Sequence, residues 1–212
     1  MKKRIMCFGD SNTWGAIPGE AARYADDVRW TGVLQQELGS DYTVIEEGYN
    51  GRVSIFDDLV EGRLGGIKYF GPCCDTQSPL DVIIIMLGTN DLKVRFGLTP
   101  GTIAFGFHRY ADALKITPMA GQPPKVLLTS PILVDPSYKD DAQFHDMLGE
   151  DAVERSMQLA DAYKAVADAN GWEFLDAAQY GKASPKDGVH MDAQSHTRLG
   201  KAFAEKIKAM LA

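Results

Sequence analysis

Residues 81–91 read Asp81-Val82-Ile83-Ile84-Ile85-Met86-Leu87-Gly88-Thr89-Asn90-Asp91. Val82 to Leu87 is an unbroken apolar run of strand length, rich in β-branched side chains and closed by the turn formers Gly, Asn and Asp. A strand that is apolar on both faces must be covered on both faces. That is the condition of a central strand in a parallel sheet flanked by helices.

Working outward, four more strand-length runs appear: Arg4 to Phe8, Tyr42 to Ile45, Lys125 to Ser130 and Trp172 to Leu175. Helical patterns separate several of them. Trp30, Val33, Leu34 and Leu38 share one face, with Gly39 as the stop. Thr99-Pro100 predicts an N-cap with proline in the first turn, opening a helix through Ile103, Phe107, Tyr110 and Leu114. Val153, Met157, Ala160, Tyr163 and Ala167 form another stripe, closed by Asn170-Gly171. Asp192 is placed to cap a final helix carrying Leu199, Phe203, Ile207, Met210 and Leu211. Strands alternating with helices predict a doubly wound α/β domain with five strands, spanning residues 1–212 without a linker or repeat. Two stretches lack clear periodicity: Gly51 to Pro79, and Val134 to Gly149. A long irregular stretch that carries Phe56, Leu59, Val60 and Phe70 is expected to be functional or covered.

The composition narrows the class of function. With 212 residues, 45% hydrophobic and 24% charged, the chain can bury a core without disulfides or metals. Its net charge of −7 argues against non-specific nucleic-acid binding, which needs a cationic surface. Three cysteines, two of them the neighbours Cys73 and Cys74, do not make a disulfide framework, and no metal-ligand spacing is present. The basic start Met1 to Arg4 precedes only four apolar residues, too few for a signal peptide, and no apolar run reaches membrane-spanning length. The expectation is a cytoplasmic protein with a small-molecule partner, no nucleic acid, no membrane, no metal and no cofactor.

Sites in open α/β sheets lie at the carboxyl ends of the strands. There the sequence offers Gly9-Asp10-Ser11-Asn12-Thr13, Glu46-Glu47-Gly48-Tyr49-Asn50-Gly51 and Gly88-Thr89-Asn90-Asp91, with Asp187-Gly188-Val189-His190 beyond the last strand. A serine hydroxyl becomes a nucleophile when a base removes its proton; histidine suits the task, and a carboxylate fixes its tautomer. The oxyanion then needs donors, which backbone N–H groups and an asparagine amide supply. Separately each segment also reads as a helix cap or a turn. A phosphate site is disfavoured, because Asp10 stands where a Gly-rich loop would want a cation.

Taken together and in this order, the three blocks around Ser11, Asn90 and His190 resemble those of the GDSL/SGNH hydrolases, and the chain is similar to their bacterial arylesterase and acyltransferase branch. The resemblance implies a three-layer α/β/α, flavodoxin-like fold with a five-stranded parallel sheet. It implies hydrolysis of small aryl or short-chain acyl esters through an acyl-enzyme on Ser11, with acyl transfer to alcohols open to the same intermediate. Carbohydrate acetyl esters are the alternative substrates, and a non-catalytic binding module is the rival of another class. By resemblance Ser11 is the nucleophile, His190 the base and Asp187 its orienting carboxylate. Ser11, Gly51 and Asn90 make the oxyanion hole, with Gly48 competing for the place of Gly51. Asn12 departs from the usual leucine and is expected beside the nucleophile. With Trp14, Thr89, Lys93, Ile132 and Val189 it completes the candidate pocket wall. The resembling arylesterases associate, so a homo-oligomer with Gly51 to Pro79 in its contact is expected.

Overall fold

The computed structural model describes residues 2–212. Its strands are β1 (Lys3–Gly9), β2 (Tyr42–Gly48), β3 (Val82–Met86), β4 (Lys125–Ser130) and β5 (Glu173–Asp176). They form one parallel sheet in the order β2-β1-β3-β4-β5, the flavodoxin-like arrangement of a doubly wound fold. The predicted central run is β3, and all five of its residues are buried. Alternation along it divides the core. Ile83 and Ile85 pack on one face with Met6, Phe8 and Leu128, while Val82, Ile84 and Met86 pack on the other with Ile5, Cys7 and Leu127. Each isoleucine, wholly removed from water, stabilises the fold by roughly 1.5–3 kcal/mol.

The helices are α1 (Ser11–Trp14), α2 (Trp30–Leu38), α3 (Gly66–Gln77), α4 (Pro100–Phe105), α5 (His108–Ile116), α6 (Ala142–Leu148), α7 (Ala152–Met157), α8 (Leu159–Asn170) and α9 (Ala193–Leu211). Helices α2 and α9 cover one face of the sheet, with the Trp30 and Phe203 rings 4.6 Å apart. Helices α3, α4, α5 and α8 cover the other, around Phe70, Phe107, Tyr110 and Tyr163. The predicted caps are present: Thr99 accepts from the Thr102 N–H, and Asp192 from the Ser195 N–H. Among the described residues, no helix is long and apolar enough to cross a membrane.

Four expectations change. The single helix predicted from Thr99 to Leu114 is two, separated around Gly106, and the stripe from Val153 to Ala167 is likewise divided between α7 and α8 at Gln158. Met157, assigned to that stripe, is 61% exposed at the division. The irregular stretch Gly51 to Pro79 contains α3, whose Phe70 and Cys74 are buried four residues apart, although Gly66, Gly71 and Pro72 are poor helix formers. The stretch Val134 to Gly149 contains α6, started by Asp141, whose carboxylate accepts from the Gln143 and Phe144 N–H groups.

The register sets the level of the site. Gly9 pairs with Gly48 on one side and Met86 on the other, so β1, β2 and β3 end together. Gly48 permits a close approach there, since a Cβ on it would lie 2.2 Å from the Trp14 nitrogen. The end of β2 can pass under the first turn after β1 only without a side chain. Arg52 ties the same ends, donating to the carbonyls of Gly9 and Glu47 while its guanidinium lies 4.1 Å from the centre of the Phe8 ring.

Candidate active site

Strand order reverses at β1, and the crevice beside that reversal receives the segments following β1, β2 and β3. Asp10 caps α1 by accepting from the Asn12 N–H at 3.0 Å, which places Ser11 at the start of a helical turn where its own N–H has no intrahelical acceptor. The segment between β5 and α9 brings Asp187 and His190 to the same crevice. His190 Nε2 is 3.0 Å from Ser11 Oγ, and His190 Nδ1 is 2.8 Å from Asp187 Oδ2. These contacts put the proton on Nδ1 and leave Nε2 as the acceptor for the serine hydroxyl.

Asp187 is buried and takes three further donors: the Val189 and His190 N–H groups on Oδ1 and the Gly19 N–H on Oδ2. Burial opposes its charge, but the His190 ring and the backbone donors outweigh it and lower its pKa from 3.8 to about 2. Asp10 goes the other way. Burial raises its pKa to about 6 against the pull of the Asn12 N–H, His190 and Arg52. Burial likewise lifts Asp91 to about 6, although the Ser54 hydroxyl and N–H favour its charged form. His196 is held near 4 by burial and accepts from the Trp30 N–H, a structural role.

Ser11 and His190 open into a cavity of about 400 Å³, whose wall also includes Gly51, Asn90, Trp14, Thr89, Lys93 and Val189. Gly51 has φ +73°, a backbone state that favours glycine, and its N–H and the Asn90 amide have no acceptor among the described residues. Gly48 is not part of the wall; its contact with Trp14 assigns it to packing. Two expected wall residues lie elsewhere. Ile132 is buried in the core on the α2 and α9 side. Asn12 is 3% exposed and bonds to the backbone of Val189 and Met191, because a helical turn rotates it about 100° from Ser11. Lys93 lines the cavity but is committed to Asp58 and Glu61, and Arg95 joins the same carboxylates.

Other wall residues were not read from the sequence. Phe144, Met147 and Leu148 come from α6, and Phe144 meets the His190 ring edge-on at 6.0 Å. Their spacing after Asp141, at the third, sixth and seventh positions, is the signal that could have revealed this short amphipathic helix. Asn50, Glu61 and Arg63 form a polar side contributed by the segment after β2. Among the described residues, no group of three or more His, Cys, Asp or Glu side chains is placed to hold a metal ion.

Residues 7–198 match the family model described as GDSL-like lipase/acylhydrolase. The chain belongs to this family. It is a carboxylic ester hydrolase by that membership and by its likeness to solved structures. An aryl esterase of M. smegmatis is 39% identical and superposes with a TM-score of 0.92, covering 98% of this chain and 99% of its own. A carbohydrate acetylesterase from Sinorhizobium meliloti is 38% identical, also at 0.92, covering 99% of this chain and 100% of its own. A lipase/acylhydrolase from Enterococcus faecalis, at 18% identity and a TM-score of 0.66 over 98% and 96% of the two chains, shares the fold. No curated protein sequence matches the chain.

The lowered pKa of Asp187 has a consequence for stability. A carboxylate depressed by folding contributes stability that is fully present above its unfolded value of 3.8 and is lost as pH falls through about 2. Wild type should therefore exceed Asp187→Ala in chemical denaturation at neutral pH, and the gap should narrow over that acidic window. A gap independent of pH would show that the carboxylate's charge does not contribute.

Proposed function

We propose that this family member hydrolyses small carboxylic esters through an acyl-enzyme on Ser11, with His190 as the base and Asp187 as its orienting carboxylate. The observation that carries the reading is the chain of contacts from Ser11 Oγ to His190 Nε2 at 3.0 Å and from Nδ1 to Asp187 at 2.8 Å, at the edge of the cavity.

Ser11 Oγ attacks the ester carbonyl carbon as its proton passes to His190 Nε2. The carbonyl oxygen becomes the oxyanion, for which the Ser11 and Gly51 N–H groups and the Asn90 amide are the donors. His190 then returns the proton to the leaving alcohol oxygen as its bond to the carbonyl carbon breaks, leaving the acyl group on Ser11. Water repeats the sequence with His190 as base, releasing the acid; an alcohol in its place receives the acyl group. Asp187 stays ionised throughout and stabilises the imidazolium.

The confined cavity, with Phe144 and Met147 on its apolar side, favours short acyl or aryl groups. Asn50, Glu61 and Arg63 in the same wall support acetylated sugars as a second substrate class, the one named for the Sinorhizobium meliloti relative. Ser11→Ala and His190→Ala should each remove nearly all turnover of p-nitrophenyl acetate, and the double variant should be scarcely worse, because the residues act as one unit. A Ser11→Ala enzyme at full rate would overturn the mechanism.

The chain is further proposed to act as a homo-oligomer. Leu59 and Val60 are 86% and 76% exposed, and Phe56 and Leu64 are also open to solvent on the same segment. Contiguous apolar exposure marks an interface. Glu61 and Arg63 join this segment to the cavity wall, so an assembly there would restrict its mouth. Light scattering at micromolar concentration should report at least a dimer for wild type and a smaller species for Leu59→Glu/Val60→Glu. A monomeric wild type would refute the assembly.

A further inference from the structure

We infer that Asn12, which follows the nucleophile in sequence, is a positioning residue for His190, holding the base in register with Ser11. The proposal rests on the esterase reading above and concerns how its catalytic geometry is maintained.

Asn12 follows Ser11 in the first turn of α1, and its own N–H is fixed by Asp10. Its side chain crosses to a segment 177–179 residues later and engages the two backbone groups that bracket His190. Nδ2 donates to the Val189 carbonyl at 3.2 Å, and Oδ1 accepts from the Met191 N–H at 3.0 Å. These partners fix the orientation of the amide, since a carbonyl only accepts and a backbone N–H only donates.

Other backbone groups of this segment are also engaged. The Val189 and His190 N–H groups donate to Asp187 Oδ1, and the His190 carbonyl accepts from the Ser184 N–H at 2.7 Å. Asp187 thus fixes the segment from within, and Ser184 fixes it to the preceding turn. The Asn12 amide is what bonds its backbone directly to the turn carrying Ser11. Without that amide, the backbone on either side of His190 keeps only indirect ties to the Ser11 turn, through the Gly19 N–H on Asp187 Oδ2 and through the contact between the two reacting side chains. Two buried backbone groups would also lose their partners, which drives the segment to shift in search of others.

Leucine is close in shape to asparagine and offers neither hydrogen bond. In Asn12→Leu, kcat for p-nitrophenyl acetate should fall by roughly 10- to 100-fold, with KM within about twofold, when assayed well below the melting temperature; a displacement near 1 Å at a reacting pair has that order of effect. A residue that only stabilises the core would lower the melting temperature and leave kcat at the wild-type value, and that result would overturn the proposal.

Asn12→Asp supplies the second test, and the deciding one if the leucine variant does not fold. A protonated carboxyl at position 12 reproduces both bonds, whereas the carboxylate sets an acceptor against the Val189 carbonyl. Asp10, Asp187 and His190, the titratable groups bonded in this segment and its neighbouring turn, are present in both proteins, so the comparison is made as a ratio at pH values where the wild-type rate is on its plateau and the base is free in both. The kcat of Asn12→Asp relative to wild type should therefore rise as pH is lowered. A ratio that stays flat or falls overturns the positioning role. A wild-type chain inert toward the ester would instead overturn the hydrolase reading, and the positioning role with it.

Discussion

A carboxylate taken out of water must be surrounded by donors, and Asp187 is buried with four hydrogen bonds to it. Three come from the residues immediately after it, including the His190 ring, and the fourth from Gly19 in the segment after β1. Satisfying this one charge closes a tight turn, sets the His190 tautomer and joins the end of the chain to its beginning. The strength of the arrangement shows in the pKa, held near 2 despite burial. The neighbouring buried carboxylates Asp10 and Asp91 lack such a set of donors, and burial raises both. Within one crevice, donor supply separates a carboxylate that must stay charged from two whose charged form is costly.

The sheet makes that closure geometrically available. Parallel strands whose order reverses at β1 bring three strand ends to one level, with Gly9, Gly48 and Met86 in register. Ser11 and Asn90 therefore emerge close together from rigid elements. Asp187 and His190 need no strand of their own, since Asp187 fixes their turn internally and Asn12 bonds it to α1. The segment after β2 is anchored differently, through the buried Lys93 and its carboxylate partners Asp58 and Glu61. Lys93 and Asp58 are buried while Glu61 is partly open to solvent, and removing one partner of the buried pair would leave the other charge without its counter-ion.

What the sequence made legible follows from how local each signal is. The run Val82 to Leu87 identifies the central strand because burial on both faces leaves no polar residue in it. Ser11, Asn90, Asp187 and His190 stand out because turn chemistry at strand ends and an Asp-x-x-His spacing are short-range features. Helix α3 was hidden because Gly66, Gly71 and Pro72 contradict local propensity. Gly66 is there for packing, where a Cβ would crowd the Tyr110 hydroxyl and the Val53 carbonyl. Helix α6 is a short element that supplies the apolar wall, and its placement beside His190 is wholly tertiary. Asn12 follows the nucleophile in sequence but faces away from the cavity, because a helical turn rotates successive side chains apart.

The central claim is that Ser11, made nucleophilic by His190, carries the acyl group. Reaction with a fluorophosphonate, followed by mass spectrometry of the peptides, tests it most directly, because the reagent stops at the covalent step. Esterase activity should be lost in proportion to a single adduct on the peptide containing Ser11, and no adduct should form in His190→Ala over the same time. Full inactivation with the adduct on another residue, or no adduct in an enzyme that turns over esters, would contradict it.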